Sequence, residues 1–173
     1  MSMSMSMSMS MSMSFEQIQA FVFREARLLD DRQWDEWLTC YHPEAVYWMP
    51  AWDDEDKLTE DPQREISLIY YPNREGLEDR VYRIKTERSG ASSLPEPRTT
   101  HLTSNLEILE QQGHTVKLRF NWQTHSHRYH KTETYFGTSF YTLDTSGGQP
   151  VITEKKVILN NDYINQVIDI YHL

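Results

Sequence analysis

Three groups of residues in this sequence have types and spacing suited to chemistry. The most concentrated is His125-Ser-His127-Arg-Tyr-His130. On a strand, His125 and His127 share one face and His130 falls on the other, because three is an odd step. Two histidines on one face could open a facial metal triad with a carboxylate from elsewhere. Arg128 stands beside them, however, and no Asp or Glu is placed by sequence to complete the set. Half-exposed strand histidines are the better reading, and no metal site is assigned. The second group is an acid–base set: Asp30 or Asp31 at the end of a first helix, with His42, Tyr47, Trp48 and His101 available to line an interior. A carboxylate and a histidine in an aromatic cavity could move protons on a small carbonyl substrate. Two adjacent aspartates before Arg32 more simply end a helix by hydrogen-bonding the backbone of the turn. The third is Arg98-Thr-Thr-His101, where Arg98 could clamp a carboxylate of a ligand or partner, or form an internal salt bridge. Cys40, after Trp37-Leu38, reads as a small buried hydrophobe. No catalytic, cofactor-binding or metal-binding residue is assigned.

Composition removes several alternatives. The chain has 173 residues, a formal charge of −9 and one cysteine. A lone thiol excludes an intrachain disulfide, a cysteine-based zinc site and a self-contained iron–sulfur cluster. No glycine-rich phosphate loop of the dinucleotide or nucleoside-triphosphate type occurs. So acidic a chain is repelled by nucleic acid and by anionic membranes, and neither is expected as a partner. No apolar run approaches the ~20 residues of a membrane helix, and the N-terminus lacks the pattern of a secretory signal. A cytoplasmic location is expected. Five Trp, ten Tyr and six Phe make the apolar set bulky, suited to wrapping a deep pocket or presenting a wide packing surface.

The elements that must position these groups follow from periodicity. Residues 1–14 are seven Met-Ser dipeptides, expected to be a disordered tail, with one folded domain over 15–173. Phe15, Ile18, Val22, Ala26 and Leu29 recur at helical steps. Trp34, Trp37 and Leu38 make a short second helix. His42-Pro43 predicts a turn before a strand over Ala45–Met49. Asp53–Asp61 is a charged, solvated loop, and Glu65–Tyr71 a short strand. Leu77, Val81 and Ile84 give a third helix ending before Gly90, and Ser89–Arg98 a loop. From there the pattern is β: Leu102–Glu110, then Val116, Leu118, Phe120 and Trp122 in strict alternation, then Thr132–Leu143 and Val151–Leu159. Ile164, Val167, Ile168 and Tyr171 predict a helical tail. Helices first and hairpin-linked strands afterwards indicate α+β, with helices on one concave face of a twisted sheet forming a half-open cone. Trp48, Trp52, Tyr70 and Tyr71 flank turns, where they suggest a subunit interface.

The strings Arg24-Glu-Ala-Arg-Leu-Leu-Asp-Asp-Arg-Gln-Trp-Asp-Glu-Trp-Leu38, Trp48-Met-Pro-Ala-Trp-Asp53, Glu65-Ile-Ser-Leu-Ile-Tyr-Tyr-Pro-Asn73, Gly76-Leu-Glu-Asp-Arg-Val-Tyr-Arg-Ile-Lys-Thr-Glu-Arg88 and Lys156-Val-Ile-Leu-Asn-Asn-Asp-Tyr-Ile-Asn-Gln-Val-Ile-Asp-Ile-Tyr-His172 carry a resemblance. Together they make Phe15–Leu173 resemble the small (beta) subunit of aromatic-ring-hydroxylating dioxygenases, in the benzoate and toluate 1,2-dioxygenase branch. The resemblance implies the cystatin-like, nuclear transport factor 2-like cone, with N-terminal helices on a curved, mostly antiparallel sheet. It implies a structural chain in an alpha3beta3 hexamer, with the Rieske [2Fe-2S] cluster and mononuclear Fe(II) in the alpha subunit. It also implies that NADH is consumed through a separate reductase and that benzoate or a substituted benzoate becomes a cis-diol in aromatic catabolism. Trp48, Trp52, Tyr70, Tyr71, Arg98 and His101 are the expected subunit contacts. The Met-Ser repeat and the crowding of His125, His127 and His130 depart from the family pattern. The rival readings are a stand-alone cone-fold dehydratase or isomerase using Asp30 or Asp31 with a histidine, and a ligand-binding homo-oligomer.

Overall fold

The computed structural model describes residues 13–90, 96–164 and 167–173. Helix α1 (Phe15–Asp30) starts at a reciprocal cap: the Ser14 hydroxyl accepts from the Gln17 amide, and the Gln17 side chain accepts from the Ser14 amide. The last Met-Ser dipeptide therefore joins the fold, Ser14 as cap and Met13 packed on the core. Residues 1–12, where the rest of the tail was expected, lie outside the described residues. The buried stripe of α1 includes Ile18, Val22, Ala26 and Leu29 as the periodicity predicts, and also Phe21, Glu25 and Leu28. Arg32 adopts a left-handed φ of 57° and turns the chain into α2 (Trp34–Leu38), which buries Trp34 and Trp37.

Six strands follow: β1 (Tyr41–Pro50), β2 (Ser67–Tyr71), β3 (Arg98–Gln112), β4 (Thr115–Arg128), β5 (Lys131–Asp144) and β6 (Val151–Leu159), with α3 (Glu75–Gly90) between β2 and β3. They form one sheet in the order β2-β1-β6-β5-β4-β3, antiparallel except for the β1–β6 pair. Inward positions on β4, Val116 to Ser126, are buried at every second residue while the alternate ones reach solvent. Helix α1, both tryptophans of α2, and Leu77, Val81 and Ile84 of α3 share one buried cluster with that inward face. The opposite face is the outer face.

Three expectations need correction. His42-Pro43 lies inside β1, not in a turn before it: Tyr41 pairs with Ile152 and Val46 with Glu154, so His42–Ala45 bulge out opposite Thr153. Proline has no N–H for the ladder, and the bulge absorbs it. His130 is not a strand residue; with Tyr129 it forms the two-residue β4–β5 turn, both at positive φ. The described tail residues form no α-helix, only a 3₁₀ turn at Ile170–His172. There Asp169 accepts from the Ile170 amide and salt-bridges Arg80 of α3, which ties the chain down before a helix can extend. The loop expected over Ser89–Arg98 falls partly outside the described residues, and Arg98 itself begins β3.

Gly137 of β5 marks a close approach. A β-carbon built there would lie 1.8 Å from the Ile158 carbonyl oxygen on β6 and 3.2 Å from the Trp122 ring nitrogen. The obstacle is backbone, which cannot rotate away. Gly137→Ala should therefore destabilise the chain by about 2–3 kcal/mol in urea unfolding, against less than about 0.5 kcal/mol for Gly147→Ala, which meets nothing within 4 Å.

Candidate functional site

The concave interior is occupied by the chain's own polar side chains. Glu25 of α1 and Lys155 of β6 are 2% and 1% exposed, with Nζ 3.1 Å from Oε1. The same carboxylate accepts from Trp37 Nε1 at 3.1 Å, Tyr41 OH at 2.7 Å and Tyr141 OH at 2.9 Å. The Lys155 ammonium also lies 5.2 Å from the ring centroids of both Tyr47 and Tyr141. Burial, the largest influence, pushes the Glu25 carboxyl up. The Lys155 charge and the bonds from Tyr41, Lys155 and Trp37 together outweigh it and hold the group below its ordinary 4.5. Burial and the Glu25 charge push the Tyr41 and Tyr141 hydroxyls well above their ordinary range, so both remain donors.

A second constellation joins the end of α1 to β3. Asp30 Oδ1 lies 2.5 Å from His101 Nδ1 and accepts from Thr99 Oγ1 at 2.9 Å, while Oδ2 accepts from the His101 amide at 2.9 Å. The far ring nitrogen, His101 Nε2, is 3.0 Å from the Leu173 main-chain oxygen. Of the two aspartates considered from sequence, Asp30 thus reaches a histidine, and it bonds strand β3 instead of its own turn. His42, also considered there, does not join: its Nδ1 accepts from the Glu44 amide. Beside His101 the tail is held by Asp169, which accepts from Arg80 Nε at 2.8 and 2.9 Å, and by His172, whose ring packs at a tilt of 45° against Tyr135, 4.8 Å between centroids.

The remaining candidates are dispersed. His125 and His127 share the outer face of β4, but His125 bonds Gln123 and Thr134, and His127 bonds Thr132. No group of three His, Cys, Asp or Glu side chains converges among the described residues. Trp48 is 8% exposed and donates to Ser67, whereas Trp52 is 45% exposed and donates to the Leu159 carbonyl. Tyr70 and Tyr71 are half-buried on opposite faces of β2, Tyr71 tilted against Tyr47. Arg98 is exposed, while the His101 side chain is 5% exposed. Sequence reasoning missed Glu25 and Lys155. The available signal was a lone charged residue on an apolar stripe: Glu25 sits three after Val22 and four after Phe21, and Lys155 two before Val157.

Helices on the concave side of a strongly curved sheet define a cone-shaped α+β protein of the nuclear transport factor 2-like class. A candidate scytalone dehydratase of Novosphingobium aromaticivorans shares this fold, with a TM-score of 0.64, 13% identity and 89% of this chain and 90% of that one covered. The profile of the family described as "Ring hydroxylating beta subunit" matches residues 24–166. The chain is 60% identical to the toluate 1,2-dioxygenase subunit beta of Pseudomonas putida, over 92% of this chain and 98% of that one. It is 61% identical to the benzoate 1,2-dioxygenase subunit beta of Acinetobacter baylyi, over 91% and 93%. The beta-subunit structure of the benzoate 1,2-dioxygenase of Burkholderia mallei superposes with a TM-score of 0.82 at 52% identity, covering 94% and 99%. The chain belongs to the ring-hydroxylating dioxygenase beta-subunit family, in its benzoate/toluate 1,2-dioxygenase branch.

Two measurements test the site's electrostatics. Lys155→Met strands a buried carboxylate and should cost about 3–5 kcal/mol in urea unfolding, most of it recovered in Glu25→Gln/Lys155→Met, where both charges are gone. The second concerns His172, whose pKa burial lowers from 6.5 to about 4. Between those values the unfolded chain binds the extra proton, so this contribution is complete above pH 6.5 and is lost as pH falls to about 4. His172→Gln should remove about one proton's worth of slope from the unfolding free energy across that window. Glu25, lowered from 4.5, acts in a separate window: its contribution is present above pH 4.5 and is lost on further acidification.

Proposed function

We propose that this chain is the small, non-catalytic subunit of a Rieske-type 1,2-dioxygenase for benzoate or a ring-substituted benzoate. In this reading residues 15–173 act as one folded body that holds alpha subunits in a cytoplasmic alpha3beta3 hexamer. The alpha subunits carry the [2Fe-2S] cluster and the mononuclear Fe(II), which supply electron transfer and O2 chemistry for cis-dihydroxylation, with NADH electrons arriving through a reductase. Trp52, Tyr70 and Arg98 meet neighbouring subunits, and Trp48, Tyr71 and His101 support them from beneath.

The observation that supports the reading is the self-paired ion cluster: Glu25, Lys155, Tyr41, Tyr141 and Trp37 bond one another, which commits the Glu25 carboxylate to the fold and not to a substrate. The Asp30–His101 pair has the geometry of an acid–base dyad, but Leu173 caps the nitrogen that a substrate would meet. The residues also do not fit a Rieske centre, which takes two cysteines and two histidines. The single thiol, Cys40, is buried, and burial pushes its pKa up to about 12, so it stays protonated and a poor ligand. No helix among the described residues is long and apolar enough to cross a membrane.

Co-expression with an alpha subunit bearing Cys-x-His and Cys-x-x-His tests the reading. Size exclusion with iron analysis should give a hetero-oligomer whose iron tracks the alpha chain alone, and benzoate-dependent O2 uptake only in the complex. A stoichiometric redox-active metal in the unaccompanied chain, or dehydratase or isomerase turnover by it, would overturn the proposal.

A further inference from the structure

The tail 169–173 is fastened to the inner face of the sheet by two histidines with opposite proton requirements. His101, Thr124 and Tyr135 lie in register on β3, β4 and β5. Over them sits the 3₁₀ turn, with Ile170 and Leu173 in the buried cluster, Tyr171 tilted against Trp34 and His172 packed on Tyr135. His101 forms the first latch. Its Nδ1 faces the Asp30 carboxylate and its Nε2 faces the Leu173 main-chain oxygen, so both ring nitrogens meet acceptors. A neutral imidazole has one N–H and can serve only one of them. With its proton on Nδ1 alone, the Nε2 lone pair would point at the Leu173 oxygen. Docking therefore requires the Asp30–His101 pair to hold two protons, one between Oδ1 and Nδ1 and one on Nε2.

His172 forms the second latch. Its Nδ1 accepts from the Asp169 amide at 2.8 Å and must carry no proton. Protonation there would set two N–H groups face to face. Burial and the His101 charge disfavour the cationic form of His172, while Asp169 and Glu133 of β5 favour it. Arg80 on Asp169, with Glu87 of α3 and Arg128 of β4, completes the charges around the turn. The fit is also incomplete: His172 Nε2, Thr124 Oγ1 and Ser126 Oγ are buried and find no hydrogen-bond partner among the described residues. Each unmet group reduces the net gain from docking and keeps the tail close to release.

We propose that residues 170–173 are a pH-gated plug, docked while the Asp30–His101 pair holds two protons and His172 holds one, and released when either count changes. Asp169 is the pivot, because its salt bridge to Arg80 depends on neither histidine. Release uncovers the Asp30–His101 dyad and the hydroxyls of Thr124 and Ser126. The two limbs have opposite signs. Alkali removes the Nε2 proton of His101, so docking declines as pH rises. Acid adds a proton to His172 and places two cations side by side, so docking declines again as pH falls. The device belongs to this chain's own tail and goes beyond the subunit role proposed above.

Hydrogen–deuterium exchange on the full chain, read by mass spectrometry on peptides spanning 169–173 and corrected for the intrinsic pH dependence of amide exchange, tests it. Protection should be greatest between the two limbs. It should fall by about tenfold per pH unit from 6.5 towards 4, where one proton is taken up, and fall again in alkali. His172→Gln should flatten the acid limb. Asp30→Asn should flatten the alkaline limb with the tail still docked, because the side-chain amide donates to Nδ1 and leaves the single imidazole proton on Nε2. Should Asp30→Asn not fold, His101→Gln serves: it has no titrating proton and should give a lower protection without an alkaline limb. Circular-dichroism melts at each pH separate release of the tail from global unfolding. Protection that is equal at all pH values, an alkaline limb that survives these changes, an acid limb that survives His172→Gln, or release only on global unfolding would overturn the proposal. Assembly with an alpha subunit, read by iron and O2 uptake, is decided separately.

Discussion

The structure is organised around a carboxylate that cannot be hydrated. Glu25 is buried, where an unpaired charge is prohibitively unfavourable. Its two oxygens are bonded by donors from α2, β1, β5 and β6, so one side chain of α1 fixes the relative positions of five elements. Apolar packing alone would tolerate rotation or sliding of α1 on the sheet. Four directional bonds to one carboxylate do not, and this is a buried polar network whose members are mutually dependent. Against hydrophobic residues of the same volume such a network gives little net stability. What it confers here is uniqueness of arrangement.

That arrangement explains how the interior beneath α1 is occupied by the chain's own polar and aromatic side chains. Three tyrosines and a tryptophan surround the ion pair, and Tyr47, Tyr41 and Trp37 continue the packing as tilted and edge-on ring contacts. The aromatic richness visible in the composition is thus divided between two uses. One set packs in the interior around a charge; another, including Phe136 and Trp52, is exposed on the outer side. An outer side carrying exposed aromatic groups suits the holding role proposed for this chain.

Much of this was legible in the sequence because the relevant signals are local. The apolar steps of α1 and α3 and the strict alternation in β4 each specify an element from its own residues. The boundaries that failed depended on partners distant in the chain. The tail's helical spacing yields to the Arg80–Asp169 bond, whose members are 89 residues apart, and Asp30 finds His101 across 71. Glu25 and Lys155 escaped notice for a different reason. Each is a charged residue on an apolar stripe, and a pattern read for hydrophobicity treats it as an interruption when it is the centre of the core.

The parallel pairing of β1 with β6 has a consequence for how the chain reaches this state. Lys155 follows Glu25 by 130 positions, and β1 cannot gain its inner neighbour until β6 has been made. During synthesis the N-terminal helices and first strands leave the ribosome with an incomplete sheet and an acid still turned to water. Contacts so far apart in sequence form slowly, and the waiting intermediate exposes strand edges and aromatic surface. The core is therefore sealed only once β6 has been made, and truncation anywhere before residue 155 removes that step.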